Sequence, residues 1–431
     1  LADDGLLAPS AHAASLNPMA PKNAHYDVPA KHIIQIFSSG APSQVDTWDY
    51  KPELKKLHGT KEGNGQLMAS PYEFKEHGQS GIHVPEIWPE LARHIDDMAV
   101  INSMHTNIPS HSVATVMMNT GSLRLPKPSV GAWLVYGLGT ENKNLPGFIA
   151  LRSGGGGNSQ NWRSAFLPGM YQGTAINTAA TKVHEMIRNI KNPYMEVPEQ
   201  RKQLDYVNML NALQSQKLKK DDKLEAQINA YETAFSMQTE AVDTFDISKE
   251  NAKTRELYGT SAAGRQMLLA RRLVERGVRM IQVWAPGGWD HHNNLKDRLA
   301  QVANGIDGPI AALLADLKER GLFNETLVVW GGEFGRTPRA QDSIGDAGGR
   351  NHNSRGFSMW MAGGGVRGGQ RYGETDETGA AAVTDKMHIH DLHATMMALM
   401  GFDHEKLTYR HNGRDFRLTD NFGSIAKRLI A

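Results

Sequence analysis

The sequence predicts an α/β fold with a mostly parallel central sheet. Short apolar segments of strand length, such as His32–Phe37, Met98–Met104 and Val278–Trp284, alternate with segments of helical periodicity such as Ser261–Arg276. Strands that are separated by helices pair in parallel. Several of the apolar segments end in loops that contain carboxylates and imidazoles, which is typical of α/β proteins that bind ligands beyond the carboxyl ends of their strands.

The composition favours a small substrate over a nucleic acid or a membrane. The chain has 431 residues, 40% of them hydrophobic, which is enough for one large domain with its own core. The formal net charge is +1, so bulk electrostatics attract neither nucleic acid nor anionic lipid. No run of about twenty apolar residues predicts a membrane span. There is no cysteine but there are 18 histidines, so imidazole and carboxylate groups are the expected metal ligands.

Residues 1–30 are predicted to form an N-terminal tail, and residues 31–431 a single domain. Ala11-His12-Ala13 has the small-residue pattern of a signal-peptidase site, although no apolar core precedes it. An ordinary tail and the remainder of an export leader both fit this segment. His32–Phe37 is the first predicted strand, and Asp46 in the following loop is either a metal ligand or a turn aspartate.

The second predicted strand, Met98–Met104, leads into a hydroxyl-rich turn. A helix is predicted over Trp88–Ile95 before this strand, and another over Ser112–Met118 after the turn. A turn before a helix N-terminus suits a nucleophile or an anion, because the free N–H groups of the helix favour negative charge. Thr106 and Ser110 supply hydroxyls here, and Ser110 also fits the role of a plain N-cap.

A helical insertion is predicted between the strand at Gly147–Leu151 and the helix at Ser261–Arg276. The segment from about 192 to 260 is rich in Lys, Glu, Gln and Leu, and it is expected to form a lid or packing layer rather than a separate domain. One stripe of apolar residues at helical spacing is expected to be buried: Leu204, Val207, Leu210 and Leu213.

The strongest local motif follows the predicted strand Val278–Trp284. Asp290, His291 and His292 stand together in a glycine-rich loop. Because adjacent side chains on an extended backbone point to opposite sides, only one of the two histidines is expected to face a given site.

A further carboxylate, Glu333, follows the apolar run that ends at Gly331, and Arg336 stands three residues later. His352 lies in another loop, before the predicted strand Phe357–Ala362. Parallel strands bring such loops to one edge of the sheet, so these groups are expected to converge with those named above. The expected metal ligands are Asp46, Asp290, His291 or His292, Glu333 and His352.

Carboxylate and imidazole donors without sulfur favour zinc, followed by manganese, iron and calcium. Two such ions about 4 Å apart would bind a tetrahedral oxyanion between them. Arg336, Arg350 or Arg355 is expected to bind the same oxyanion with two hydrogen bonds.

Four segments resemble the bacterial domain-of-unknown-function family fifteen-hundred-and-one, and the resemblance extends over nearly the whole chain. They are Ser39–Ser43 with Asp46-Thr47, Gly287–His292, Gly332–Pro338 and Thr408–Asp415. That family is similar to the alkaline phosphatase and sulfatase superfamily, whose members are three-layer α/β hydrolases of phosphate or sulfate esters. Its members often carry twin-arginine leaders, so the resemblance implies a periplasmic or secreted protein whose leader preceded Leu1.

The resemblance also implies roles for single residues. Asp46 resembles the superfamily's first-strand metal aspartate, Asp290 and His292 its aspartate–histidine pair, and His352 its late metal histidine. Glu333-Phe334 falls where the superfamily usually has adjacent aspartate and histidine. Glutamate can ligate a metal and phenylalanine cannot, so the sequence departs from the pattern at one ligand.

The nucleophile departs from the pattern as well. The superfamily places a hydroxyl or a modified cysteine at a helix start before a Thr-Gly pair, and counting back from Thr120-Gly121 reaches His111. Thr106 is therefore the first candidate nucleophile and Ser110 the second, and His111 and Arg336 are the further candidate catalytic residues.

The expected function is an exported, metal-dependent hydrolase of sulfate or phosphate esters, with sugars and polysaccharides as candidate carriers of the ester. The alternative is a non-catalytic carbohydrate- or surface-binding protein that keeps the hydrolase fold and has lost a metal site. Phe334 and His111 favour the alternative, whereas the cluster from Asp290 to His292 favours the enzyme. No sequence feature predicts an oligomeric state.

Overall fold

The computed structural model describes residues 18–123, 126–154, 158–187, 194–217, 231, 235–237 and 241–431. In chain order the strands are β1 (His32–Phe37), β2 (Lys61–Glu62), β3 (Gly65–Gln66), β4 (Phe74–His77), β5 (Ile82–Pro85), β6 (Met98–His105), β7 (Phe148–Arg152), β8 (Thr174–Asn177), β9 (Met280–Trp284), β10 (Thr326–Gly331), β11 (Gly335–Ala340), β12 (Arg350–Asn353), β13 (Phe357–Ala362), β14 (Gln370–Tyr372), β15 (Glu374–Thr375), β16 (Ala382–Thr384), β17 (Met387–His388), β18 (Tyr409–His411) and β19 (Arg414–Phe416).

The α-helices with described bounds are α1 (Gln44–Thr47), α2 (Pro52–Lys56), α3 (His111–Thr120), α4 (Val130–Leu138), α5 (Val183–Met186), α6 (Val197–Lys217), α7 (Ala252–Tyr258), α8 (Ala262–Glu275), α9 (Leu295–Glu319) and α10 (Ile389–Leu399). Short 3₁₀ helices cover Leu91–Asp97, Ser159–Trp162, Gly169–Tyr171, Ile247–Lys249, Phe323–Glu325 and Lys427–Leu429.

A nine-stranded sheet forms the centre of the fold. Its spatial order is β14-β6-β13-β10-β1-β9-β7-β8, and β17 also pairs with β6. β1 lies in parallel between β10 and β9, with Ile34 opposite Val328 on one side and Ile281 on the other. β13 runs antiparallel to both β10 and β6. The other eight strands share one direction, which confirms the predicted mostly parallel sheet.

Helices cover both faces of this sheet, so the fold is the predicted three-layer sandwich. Successive side chains of a strand point to opposite faces, and β1 accordingly places Ile34 in one apolar core and Ile33 in the other. The core around Ile34 contains residues of α8 and α9. The core around Ile33 contains residues of α3, α4 and α10.

One predicted helix differs from the structure. Trp88–Ile95 was expected to be α-helical, but the structure has a 3₁₀ helix over Leu91–Asp97. Trp88 precedes Pro89, and the residue before a proline is disfavoured in the α conformation. The Trp88 ring is instead stacked against Trp48, with the ring centroids 5.5 Å apart.

The insertion is helical over α6, but the predicted buried stripe is wrong at Val207 and Leu210, which are 39% and 47% exposed. The exposed apolar side chains include Tyr206 and Met209 as well, so they lie on more than one side of α6 and form no single stripe. Leu204 is half-buried, and the Leu213 side chain lies outside the described residues.

The segment 1–17, which contains most of the predicted tail, lies outside the described part of the chain. Among the described residues, no helix combines the length and the apolar character that crossing a bilayer requires.

Candidate metal centre

The loops that follow the parallel strands lie at one edge of the sheet. β1, β6, β9 and β10 share a direction, so their carboxyl ends lie at the same edge. Asp290 and His292 lie in the loop after β9, Glu333 follows β10, and His111 begins α3 shortly after β6. His352 comes from β12, the second strand of a hairpin with β11. The fold therefore gathers these five residues in one place.

Two glycines allow the loops to approach each other closely. Gly40 has a φ of +113°, and a Cβ there would lie 2.6 Å from the Asp290 backbone nitrogen. A Cβ at Gly349 would lie 2.1 Å from the His292 carbonyl carbon. Both separations are shorter than any side chain tolerates, so glycine is needed for the loops after β1 and β9 and the strand β12 to meet.

Four side chains meet at the centre of this edge, namely His111, Asp290, His292 and His352, whose nearest ligand atoms all lie within 4.8 Å of one another. His352 Nε2 lies 3.0 Å from His111 Nε2 and 3.1 Å from His292 Nε2. Asp290 Oδ1 lies 2.8 Å, 3.3 Å and 3.5 Å from the Nε2 atoms of His292, His111 and His352. Ligands of a tetrahedral zinc ion stand about 3.3–3.4 Å apart, given metal–nitrogen distances of about 2.0–2.1 Å. The observed spacing fits such an ion.

The second nitrogen of each imidazole is held by an oxygen. His111 Nδ1 donates to Glu333 Oε1 at 2.6 Å, and His352 Nδ1 donates to the Pro109 carbonyl at 2.9 Å. His292 Nδ1 donates to Gln341 Oε1. A carboxylate, a carbonyl and an amide oxygen can only accept, so each Nδ1 carries a proton, and in the neutral form of each ring the lone pair is then on Nε2. Metal-binding histidines are held in this way.

In this tautomer, the Nε2 lone pairs of the three histidines and a carboxylate oxygen of Asp290 face one another. Neighbouring Nε2 atoms at 3.0 Å and 3.1 Å cannot hydrogen-bond when neither carries a proton. A divalent cation between them would convert these repulsive contacts into ligand bonds, and borderline metals such as zinc prefer this donor set. The donor chemistry therefore fits a metal ion.

The charges around the cluster favour an ionised Asp290, which suits a cation, and a protonated His111, whose Nε2 proton a metal ion would have to displace. Burial opposes ionisation of Asp290, but the hydrogen bond and charge of Arg336 outweigh it and lower the pKa of Asp290 to about 2. Burial also disfavours a charged His111, but the hydrogen bond and charge of Glu333 prevail and raise the pKa of His111. Burial lowers the pKa of His352. Asp290 is thus ionised across the neutral pH range.

Glu333 and Arg336 lie next to the cluster rather than in it. Glu333 is fully buried behind His111 and also accepts a hydrogen bond from Gly40 N at 3.0 Å. Arg336 is 1% exposed and donates to the carbonyls of Gly40, Ala41 and Arg350 and to Asp290 Oδ1. Its remaining N–H faces His292 Nε2 at 3.4 Å. Arg336 therefore positions Asp290 and has no donor left for an oxyanion.

Asp46, one of the expected metal ligands, lies apart from the cluster in a buried ion pair. Its two carboxylate oxygens accept from Arg350 Nε at 2.6 Å and from Arg350 Nη2 at 2.9 Å. Ser43 Oγ donates to Asp46 as well, and both members of the pair are fully buried. Arg350 thus occupies both oxygens of Asp46.

His291 and the candidate nucleophiles also differ in position from the four clustered side chains. His291 is 2% exposed, its ring nitrogens have no partner among the described residues, and burial lowers its pKa to about 4. Thr106 Oγ1 is buried without a described hydrogen-bond partner. Ser110 is exposed and stands at the N-cap of α3, but its hydroxyl does not cap the helix.

Sequence reasoning did not identify Gln341, the Pro109 carbonyl or the Asp46–Arg350 pair. Gln341 follows β11 and Pro109 precedes α3, and neither stands in a metal-ligand pattern. His111 is predicted from sequence as a catalytic candidate, and the structure places it among the four clustered side chains. A histidine at a helix start facing strand-end carboxylates was the available signal for it.

The fold and the site together define a three-layer α/β protein with a candidate centre of three histidines and one aspartate. The chain belongs to the family described as "Protein of unknown function (DUF1501)", whose model matches residues 30–430. Comparison with curated proteins gave no significant match.

Several solved structures are similar over most of the chain. The PsFucS1 sulfatase from Pseudoalteromonas sp. is 12% identical with a TM-score of 0.35, covering 88% of this chain and 69% of that one. The lipoteichoic acid synthase LtaP from Listeria monocytogenes is 8% identical with a TM-score of 0.37, covering 94% and 80%. The alkaline phosphatase from the Antarctic bacterium TAB5 is 13% identical with a TM-score of 0.35, covering 80% and 95%.

Proposed function

We propose that this protein is a metal-dependent hydrolase of sulfate or phosphate esters. The observation that carries the proposal is the set of three Nε2 lone pairs and one carboxylate oxygen, with every Nδ1 held by an oxygen acceptor. His111, Asp290, His292 and His352 would hold the ion. A divalent ion at this position would polarise an ester oxygen and lower the pKa of water.

The protein's own groups would bind and orient the ester. The first-turn N–H groups of α3 favour negative charge next to His111, where an oxyanion would lie. Of the two hydroxyl candidates, Ser110 is exposed and directly precedes His111, whereas Thr106 Oγ1 is buried. Ser110 is therefore the hydroxyl that a substrate can reach, and Ser110→Ala is expected to reduce turnover more than Thr106→Val.

The ion pair between Asp46 and Arg350 supports a centre with one ion per chain. A second ion would need carboxylates that are not already neutralised, and Arg350 takes both oxygens of Asp46. Phe334 offers no ligand atom. Metal analysis of the purified protein is expected to give about one zinc, manganese or iron ion per chain. Two tightly bound ions per chain would contradict this assignment.

The experiment that tests the function combines metal analysis with turnover. Protein purified without chelator is assayed against nitrophenyl sulfate, phosphate and phosphodiester substrates with added zinc, manganese or calcium. Asp290→Ala is expected to lose both bound metal and turnover, whereas Asp415→Ala, on the exposed hairpin β18–β19, should retain both. Absence of metal above background and of turnover in the wild-type protein would overturn the proposal.

A non-catalytic carbohydrate- or surface-binding protein is the second candidate. It is favoured by the engagement of Asp46 with Arg350 and of Asp290 with Arg336, which leaves fewer free carboxylates than two ions would need. Measurable glycan binding without turnover of any ester would support it. Export to the periplasm or the medium stays a prediction, and fractionation of cells that express the natural gene tests it.

A further inference from the structure

An open cavity of about 630 Å³ lies beside the candidate metal centre. His352 and Pro109 form part of its wall, so the imidazole that points Nε2 at the cluster also borders the cavity. The volume lies within the range of small-molecule sites, about 300–1,000 Å³. An ester held at the cluster would extend into this space with its alcohol portion.

The lining is polar, which restricts the alcohols that fit. Apart from Pro109, Pro338 and Ala380, every residue of the lining is polar or charged, and none is Phe, Tyr or Trp. A lipid alcohol would lose its hydrophobic contacts in such a cavity. A nucleoside would find no aromatic ring for its base to stack on. The chemistry favours an alcohol with many hydroxyl groups.

Several polar groups of the lining already have partners within the protein. Asn353 Nδ2 donates to the carbonyls of Gly356 and Ala380, and its Oδ1 accepts from Arg355 N. Asp376 accepts from three backbone amides and from Thr378 Oγ1. These groups shape the loop and would lose bonds if a ligand took their place.

The groups that remain for a ligand are few. The Arg355 side chain is exposed and has no hydrogen-bond partner or ion pair among the described residues, and neither does Glu377. Arg339, by contrast, pairs with Glu62 at 3.0 Å. Arg355 is thus the unpaired guanidinium of this lining, and the Glu377 carboxylate in the same lining can accept hydrogen bonds from hydroxyl groups.

We propose that this cavity binds a sugar that carries a second negative charge in addition to the ester, and that Arg355 binds this second charge. The proposal rests on the proposed function, because it takes the ester to be held at the metal centre. Arg355 stands three residues after His352, so their Cα atoms are at most about 11 Å apart. A guanidinium at this range can bind a sulfate, phosphate or carboxylate on the same sugar with two hydrogen bonds.

Equilibrium binding to the zinc-loaded protein tests the proposal, measured by isothermal titration calorimetry. The probes are a disulfated monosaccharide and its monosulfated counterpart, and in a second arm a sugar bisphosphate and its monophosphate. The variants are Arg355→Ala and Arg355→Lys. The control is Arg410→Ala, which removes an exposed arginine of the hairpin β18–β19.

The wild-type protein is expected to bind the doubly charged sugar of one arm more tightly than its singly charged counterpart. Arg355→Ala should weaken binding of the doubly charged sugar about tenfold, the lower end for a charged hydrogen bond, and leave the singly charged sugar within twofold. Arg355→Lys should recover part of the loss, and Arg410→Ala should change neither. The arm that shows the preference identifies sulfate or phosphate.

Equal losses for both sugars, or no loss for either, would overturn the role of Arg355. Absence of any preference for the doubly charged sugars in the wild-type protein would also overturn it. These readouts need no turnover. Failure of the proposed function would appear instead as absence of bound metal and of ester hydrolysis, so the two failures are distinguishable.

Discussion

Glu333→Gln is the substitution that most directly tests how the candidate metal centre is built. The His111 Nδ1–H donates to Glu333 Oε1 at 2.6 Å in a fully buried environment. A hydrogen bond to a charged group contributes about 1.5–3 kcal/mol and a neutral one about 1 kcal/mol. Replacing the carboxylate with an amide of the same shape therefore weakens this hydrogen bond by about 1–2 kcal/mol. The His111 imidazole is then less firmly oriented and less basic. This weakening corresponds to a loss of about 5- to 30-fold in zinc affinity.

The affinity is measured by competition with a chelator of known strength, and circular dichroism checks the fold. Glu325→Gln is the matched control, since Glu325 lies just before the start of β10 and forms an exposed pair with Lys31. The control should leave zinc affinity unchanged. A loss far beyond 100-fold would mean that Glu333 binds the ion itself, and an unchanged affinity would mean that the His111 contact has no role in metal binding. Either result would refute the reasoning from geometry.

Three further predictions concern stability. Arg350→Ala should destabilise the protein by about 3–5 kcal/mol in urea denaturation, because it leaves Asp46 buried without its partner, whereas Lys31→Ala should cost under about 1 kcal/mol. Burial lowers the pKa of His393 to about 3, so an unfolded chain with its ordinary pKa near 6.5 takes up a proton first as the pH falls. The titration of His393 should therefore lower the free energy of unfolding by about 2 kcal/mol between pH 8 and pH 5. His393→Gln should reduce the measured pH-dependent loss by that amount, and an unchanged loss would contradict this prediction. Phe334→Ala should lower the free energy of unfolding by about 3–5 kcal/mol, because the ring is fully buried. A loss under about 1 kcal/mol would show that neighbouring groups move in to fill the cavity.

The central sheet was predictable because its strands are covered on both faces. Such strands read as continuous apolar segments, and β1 and β13 accordingly match the predicted bounds residue for residue. The antiparallel direction of β13 was not predictable, because local sequence gives no signal for strand direction. The exposure of α6 was missed for a related reason: helical spacing of apolar residues predicts a helix but does not supply the surface against which it packs.

The convergence of the site loops also followed from sequence, since it depends only on parallel strands ending at one edge. The pairing of individual side chains did not follow. Asp46 and Arg350 are separated by 304 positions in the chain, and their bidentate contact depends on how the β11–β12 hairpin folds back over the loop after β1. The orientation of each imidazole depends on acceptors such as Gln341 and the Pro109 carbonyl, which no spacing rule identifies.

The side-chain positions in the structure change the interpretation of the pair Glu333-Phe334. In sequence, Phe334 stood where a histidine ligand was expected, which favoured a degenerate site. In the structure the Phe334 ring lies 4.9 Å from the rings of both His111 and His352, centroid to centroid, while Glu333 holds His111 by its Nδ1. Position 334 has no imidazole, but the cluster contains an imidazole from the start of α3, that of His111. An apolar ring beside two imidazoles also excludes water and strengthens the hydrogen bonds that orient them. Phe334 is therefore compatible with a candidate centre formed by other side chains, namely His111, Asp290, His292 and His352.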